Sequence, residues 1–248
     1  MQRQHLAVAT MLLVALGAAP ATTEAAASWA VVGDDTVFAV VTHKAGFAAG
    51  LAHNHLVAPA DYDVTLEFSP ADPASAGFEI AFAAESLTFD DPQMQARWGA
   101  RIRELGVLDG EFSALPDSRR EQIRQAALGP RQIDAASHPL IAATIIGVTP
   151  AGDAPDGGAP GDDEPAAEFP WRVSLAFEVH GVRVERPVRA RYAIDESGGL
   201  EIEAVGRYAF SDFGIKPYSA MLGAVRNRDE FELYVHLRAV PAAADEAQ

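Results

Sequence analysis

The sequence predicts an all-β protein: an antiparallel barrel of about eight strands, with one helical insertion and a short helical link before its last strand. Three observations lead there. From Ser28 onward, stretches rich in β-branched and aromatic residues recur with the two-residue alternation of half-buried strands. They follow one another as hairpins, and closing such a run into a barrel removes the exposed edges of an open sheet. One region, 91–130, changes to the three- and four-residue period of helices.

The elements read in order as follows. "TVFAVVTH" (36–43), "DYDVTLEFS" (61–69) and "GFEIAFAAESLTF" (77–89) are strands. In "DPQMQARWGARIREL" (91–105) Met94, Trp98, Ile102 and Leu105 share one helical face. A second helix, 115–128, starts at Pro116-Asp117 and stops at Gly129-Pro130. Strands resume with "HPLIAATIIGVTP" (138–150). The stretch 151–169 is mostly Gly, Pro, Ala and acid, too poor in apolar surface to order itself. Strand-like sequence on both sides makes it a flexible loop within one domain rather than a linker. A hairpin turning at His180-Gly181 (171–194), then 198–215 and 229–240, complete the strands, so 28–240 forms a single domain. The tail, 241–248, is expected to be disordered.

Residues 1–27 read as a secretory signal peptide. Arg3 precedes an apolar run from Leu6 to Leu16, and small residues lead to Ala25–Ala27. The run is shorter than the ~20 apolar residues of a membrane-spanning helix. Cleavage is expected after Ala27, with Ala21 as second choice and an N-terminal membrane anchor as the alternative. The expected location is the periplasm or the exterior.

Composition removes several function classes. There is no cysteine, which excludes thiol catalysis, iron–sulfur clusters, covalent c-type haem, cysteine zinc sites and a lipid-anchored cysteine. A net charge of −16 repels phosphate backbones and argues against nucleic acid. No G-x-S-x-G, H-E-x-x-H, P-loop or dinucleotide fingerprint occurs, so no enzyme signature is present. Asp90-Asp91 and "GDDE" are carboxylate pairs, better explained by a helix start and a solvated loop.

The one cluster of metal-type residues is His43, His53 and His55, in "THKAGFAAGLAHNHLV". If the pair lies on a strand, its side chains share a face about 6.6 Å apart. Both could then meet one ion at ~2.0–2.1 Å, with His43 supplied across a hairpin. Histidine and asparagine also suit turns, because they tolerate unusual backbone angles; the turn reading is preferred. His138, His180 and His236 are assigned no role.

Three stretches carry a resemblance: "SDFGIKPYSAMLGAVRNRDEFELYVHL" (211–237), "LAFEVHGVRVERPVRARY" (175–192) and "IDAASHPLIAATIIGV" (133–148). In this order they resemble the YceI-like family of small secreted barrels, which are similar to lipocalins. The "G…G…H-x-H" turn and the helical insertion resemble one branch of that family. The likeness runs from about Val37 to Val240 and leaves out the acidic loop. It implies a non-catalytic, exported carrier that encloses a polyisoprenoid, an isoprenoid quinone or a similar lipid, with no cofactor required. Burying methylenes contributes ~0.8 kcal/mol each, so such a chain would bind tightly without polar contacts.

On that reading Phe38, Phe47, Phe210, Phe213, Tyr218 and Met221 are the candidates for the cavity or its mouth, with ordinary core packing as the alternative for each. Gly214 and Pro217 shape the turn and Asp212 caps it. Two other functions stay open: a metal-binding or metal-sensing envelope protein built on His43, His53 and His55, and a structural protein whose barrel is filled by its own side chains. The oligomeric state is left open, a homodimer included.

Overall fold

The computed structural model describes residues 27–153 and 168–242. The expected signal peptide up to residue 26, most of the stretch 151–169 and the end of the tail therefore lie outside the described residues. Within them the chain forms β1 (Ala27–Val31), β2 (Val37–Ala45), β3 (His55–Pro59), β4 (Asp63–Phe68), β5 (Gly77–Ala83) and β6 (Leu87–Phe89). Helices α1 (Pro92–Glu104) and α2 (Asp117–Leu128) follow. The remaining strands are β7 (Leu140–Pro150), β8 (Trp171–Val179), β9 (Val182–Ile194), β10 (Leu200–Ala209), β11 (Ser219–Ala220) and β12 (Val225–Pro241). No helix among the described residues is long and apolar enough to cross a membrane.

Among the described residues all pairings between these strands are antiparallel, and they close. β4, β5, β7, β8, β9, β10 and β12 follow in order, and β1 joins β12 to β4. The expected eight staves appear as more than eight strands because three staves bend. β1 and β2 form one stave, broken by a 3-10 turn at Gly33–Asp35. β3 and β4 form the next, and β5 and β6 a third, broken at Ala84–Ser86. Thus 77–89, read as one strand, is two: β5 pairs with β4, while β6 turns to pair with β3. Likewise 198–215 ends as a strand at Ala209 and continues as the 3-10 turn Phe210–Phe213, part of the expected helical link. β1 escapes the sequence pattern because "ASWAV" has little β-branched character.

Alternation along the strands separates two cores. Phe38 of β2, Val57 of β3 and Phe231, Leu233 and Leu237 of β12 face the barrel interior. Their neighbours Val37, Ala39, Val41, Leu56 and Tyr234 face outward, and there they meet Trp98, Ile102 and Leu105 of α1. Asp91 starts that helix by accepting from the amides of Gln93 and Met94 at 2.9 and 3.0 Å, with Pro92 in its first turn. Phe169, assigned by sequence to the flexible loop, is buried in this outer core.

A buried ionic cluster fastens α1 to the wall. Glu203 of β10 is 2% exposed and accepts from Arg101 of α1 at 3.0 and 2.7 Å. Arg191 of β9 donates at 2.9 Å and the Tyr234 hydroxyl at 3.1 Å. Burial pushes the Glu203 carboxyl up, but the bonds from Arg101 and Arg191 outweigh it and hold the carboxyl below its ordinary 4.5. A depressed carboxylate contributes stability that is complete above pH 4.5 and is lost as the pH falls through the lowered value. Glu203→Gln is therefore expected to lower stability by about 2–3 kcal/mol at neutral pH. Urea unfolding should show the gap to the parent closing as the solution is acidified below 4.5.

Candidate ligand-binding cavity

At one end the barrel wall is incomplete. Among the described residues β6 pairs only with β3, and α2 lies along its other edge. Arg124 of α2 donates to the carbonyls of Leu87 and Glu85 at 3.2 and 2.5 Å, using acceptors that no strand takes up. α2 has no fully buried residue, but Ile123, Ala127 and Leu128 pack against the interior core. Behind it lies a cavity of about 220 Å³. Its walls include Val57, Phe89, Ile141, Phe177 and Phe231, and its polar rim His53, His55, Arg119, Gln122 and Asn227.

A second cavity of about 110 Å³ occupies the opposite end, lined by Leu66, Phe78, Trp171 and Leu237 among others. An apolar cavity of roughly 150 Å³ already admits benzene, so the larger one has room for a hydrocarbon segment. The division between them follows the strand alternation. On β5, Phe78 lines the smaller cavity and Phe82 the larger, with Ile80 between. On β7, Ala143 sits between Ile145 and Ile141, and Tyr208 of β10 sits between Gly206 and Phe210, the first residue past that strand. Phe38 completes this layer, packed edge-on against Tyr62 with centroids 5.0 Å apart. The Tyr208 hydroxyl donates to the Leu175 carbonyl at 3.0 Å, and burial raises its pKa.

Of the aromatic candidates, Phe210, Phe213 and Tyr218 line the larger cavity. Phe38 belongs to the dividing layer. Phe47 and Met221 lie outside the cavity, 91% and 65% exposed. Their loops adjoin, since the Ala48 amide donates to the Ala224 carbonyl at 2.9 Å, and Leu51 and Tyr218 from the same two loops reach the cavity.

The structure brings His53 and His55 together and leaves His43 apart. His53, just before β3, and His55, its first residue, both line the larger cavity with ring centroids 6.4 Å apart. His43 follows the inward-facing Thr42 and so faces outward, where it is buried and bonded to Glu232. The three-histidine set is therefore not assembled, because alternation on β2 sends His43 to the other side of the wall.

His55 is positioned by Asp90, read from sequence as no more than part of a helix start. His55 Nδ1–H donates to Asp90 Oδ2 at 2.7 Å, and the same carboxylate accepts from the Leu56 amide at 3.0 Å. Asp90 is 1% exposed and holds a left-handed backbone, φ 53°. With Nδ1 committed, Nε2 is the nitrogen His55 can offer a ligand. His53 lies 3.0 Å from the Ser113 hydroxyl. Between them Asn54 is buried, accepting from the Lys44 amide at 3.0 Å and donating to the carbonyls of Asp109 and Glu111 at 3.2 Å each. No local pattern betrays these partners, which come from 10 to 60 positions away.

Burial lowers the His53 pKa below 6.5, the His55 and Arg119 charges lower it further, and Asp90 offsets part of this. His53 is therefore neutral at neutral pH. Chemically the mouth presents polar hydrogen-bonding groups on an apolar throat, suited to an amphipathic molecule entering tail first.

Two outcomes follow. In an NMR titration the His53 ring should protonate below pH 6.5; protonation then favours the unfolded chain, and stability should decline as the pH falls below that value. Asp90→Ala, which orphans the Leu56 amide and strains the turn, is expected to cost about 2–3 kcal/mol in urea unfolding. Asp90→Asn, which tolerates that backbone, should cost about half as much.

Comparison with protein-family models and with curated proteins gives no match. Among solved structures, the barrel is similar to BcnA of Burkholderia cenocepacia at 13% identity and a TM-score of 0.54, covering 85% of this chain and all, 100%, of that one. A YceI protein of Campylobacter jejuni gives 11% identity and a TM-score of 0.47, covering 76% of this chain and 85% of that one. A polyisoprenoid-binding domain from Saccharophagus degradans, implicated in plant cell wall breakdown, gives 8% and 0.46, covering 88% and 99%. A superposition that takes in all of BcnA at a TM-score of 0.54 shows that this chain shares its fold.

Proposed function

We propose that the protein is an exported, non-catalytic binding protein of the YceI-like type, which holds the apolar chain of a polyisoprenoid, isoprenoid quinone or similar lipid in its barrel. The observation that carries this reading is the cavity of about 220 Å³ with apolar walls and a polar mouth. The motifs at 133–148, 175–192 and 211–237 support the family, and the composition of residues 1–27 supports export. Each five-carbon isoprene unit buried contributes roughly 3–4 kcal/mol gross. Two or three units would exceed the cost of immobilising the ligand. A barrel filled by its own side chains fits less well, since two cavities interrupt the interior.

The test is native mass spectrometry of gently purified protein, with displacement titrations using isoprenoids of graded length. Ala127→Trp, which fills the cavity from α2 without touching a strand, is expected to weaken binding at least tenfold, or about 1.4 kcal/mol. Phe38→Ala, which opens the dividing layer, is expected to shift preference toward longer chains while lowering stability by about 3–4 kcal/mol. Protein that carries no lipid and ignores every isoprenoid would overturn the proposal. Export predicts a mature protein beginning at Ser28, read by N-terminal sequencing.

A further inference from the structure

We propose that Asp134, His138 and His180 form a site for a divalent transition-metal cation of the zinc class, clipping the segment after α2 to the β8–β9 turn. One carboxylate oxygen and two imidazole nitrogens lie within 4.8 Å of one another, and all three residues are partly exposed, so an ion can reach them. The rings of His138 and His180 have centroids 4.7 Å apart and an interplanar angle of 60°. Bound at ~2.0–2.2 Å, three tetrahedral ligands sit roughly 3.4 Å from one another. The present spacing exceeds that value by at most about 1.4 Å.

The backbone builds this meeting from three sides. Asp134 takes a left-handed conformation, φ 50°, and its carbonyl accepts from the amides of Ser137 and His138 at 2.9 and 2.8 Å, folding His138 back beside it. His180 and Gly181 are both left-handed, φ 56° and 69°, the pair of angles a two-residue hairpin turn demands. A Cβ on Gly181 would stand 2.7 Å from His138 Nδ1, so only glycine lets that ring lie against the turn. His180 Nδ1 lies 3.3 Å from the Phe213 carbonyl, which can only accept; Nδ1–H donates and Nε2 is left for the ion. This is the carbonyl–histidine–metal arrangement that fixes ring orientation at metal sites.

The donor chemistry selects the ion. Two imidazoles and one carboxylate, without thiolate, suit zinc, cobalt, nickel or copper(II), and leave a fourth position for water. The site lies immediately behind the cavity wall, because Ile133, Val179 and Phe213, all adjacent to its members or their partners, line the larger cavity. An ion there joins the end of α2, the helix that covers that cavity, to two barrel strands. The inference stands on these contacts alone and is independent of what the cavity holds.

The test uses tag-free, chelator-treated mature protein titrated with Zn²⁺ by calorimetry, and with Co²⁺ by visible absorption. One equivalent should bind, with cobalt bands of four- or five-coordinate nitrogen–oxygen ligation. Asp134→Asn and His180→Asn, which tolerate the left-handed backbone, and His138→Ala should each weaken zinc at least tenfold. His53→Ala and His55→Ala should leave stoichiometry and affinity unchanged. In the parent, zinc should also slow hydrogen exchange of α2 amides at least several-fold. Absence of zinc and cobalt binding, or unchanged affinity in the three site variants, would overturn the proposal. Loss of zinc in the variants with lipid uptake intact leaves it standing, which separates its fate from that of the lipid.

Discussion

Between Val37 and Thr42 the chain has an apolar residue at almost every position: Phe38 and Val40 look into the barrel, while Val37, Ala39 and Val41 look out. A lone barrel would leave that outer face in water, at a cost of roughly 1.5–3 kcal/mol for each large side chain. α1 exists in this fold to cover it, and its own apolar stripe of Trp98, Ile102 and Leu105 is sized for the task. Glu203 then decides where the helix sits. Buried and acceptor-only, it needs cations, and Arg101 of α1 supplies one. The strand face demands a cover, and the buried carboxylate sets its position.

The other end of the barrel follows the opposite logic. Where α1 is pinned, α2 packs only partly buried residues against the core and bonds its Arg124 to the carbonyls of Leu87 on β6 and of Glu85 just before it. Elements with few buried contacts open at the lowest free energy, and lids and binding regions are drawn from them. The weakly held helix covers the larger cavity, and the strongly held one covers solid core. A ligand entering the barrel would displace α2 rather than α1.

Inside, bulk is distributed unevenly. Tyr208 packs against Phe177, Phe213 and Phe231, with the Phe231 ring nearly parallel at 6.1 Å. Large aromatics meeting at such distances fill one level of a barrel and leave space at the next. The layer of Phe38, Ile80, Ala143 and Tyr208 thus limits how deep a chain can reach from the mouth. Its histidines set what sits at the surface: His55 is oriented by the buried Asp90, and His53 is kept neutral by its surroundings.

The barrel, the helical face of α1 and the His180-Gly181 turn were legible in the sequence, because each rests on local periodicity or turn chemistry. What escaped it depends on distance along the chain. The bends that split three staves arise from barrel closure, which no window of residues contains. His43 stands close to His53 and His55 in sequence, yet pleating sends it through the wall to Glu232. Asp90 looked like a helix start and proved to be the partner of a histidine 35 positions earlier. His138 and His180, 42 positions apart and isolated in sequence, stand ring to ring. Patterning determined which faces are apolar; only tertiary closure decided which polar groups are left facing one another, because pairing partners are chosen by the path of the chain through space.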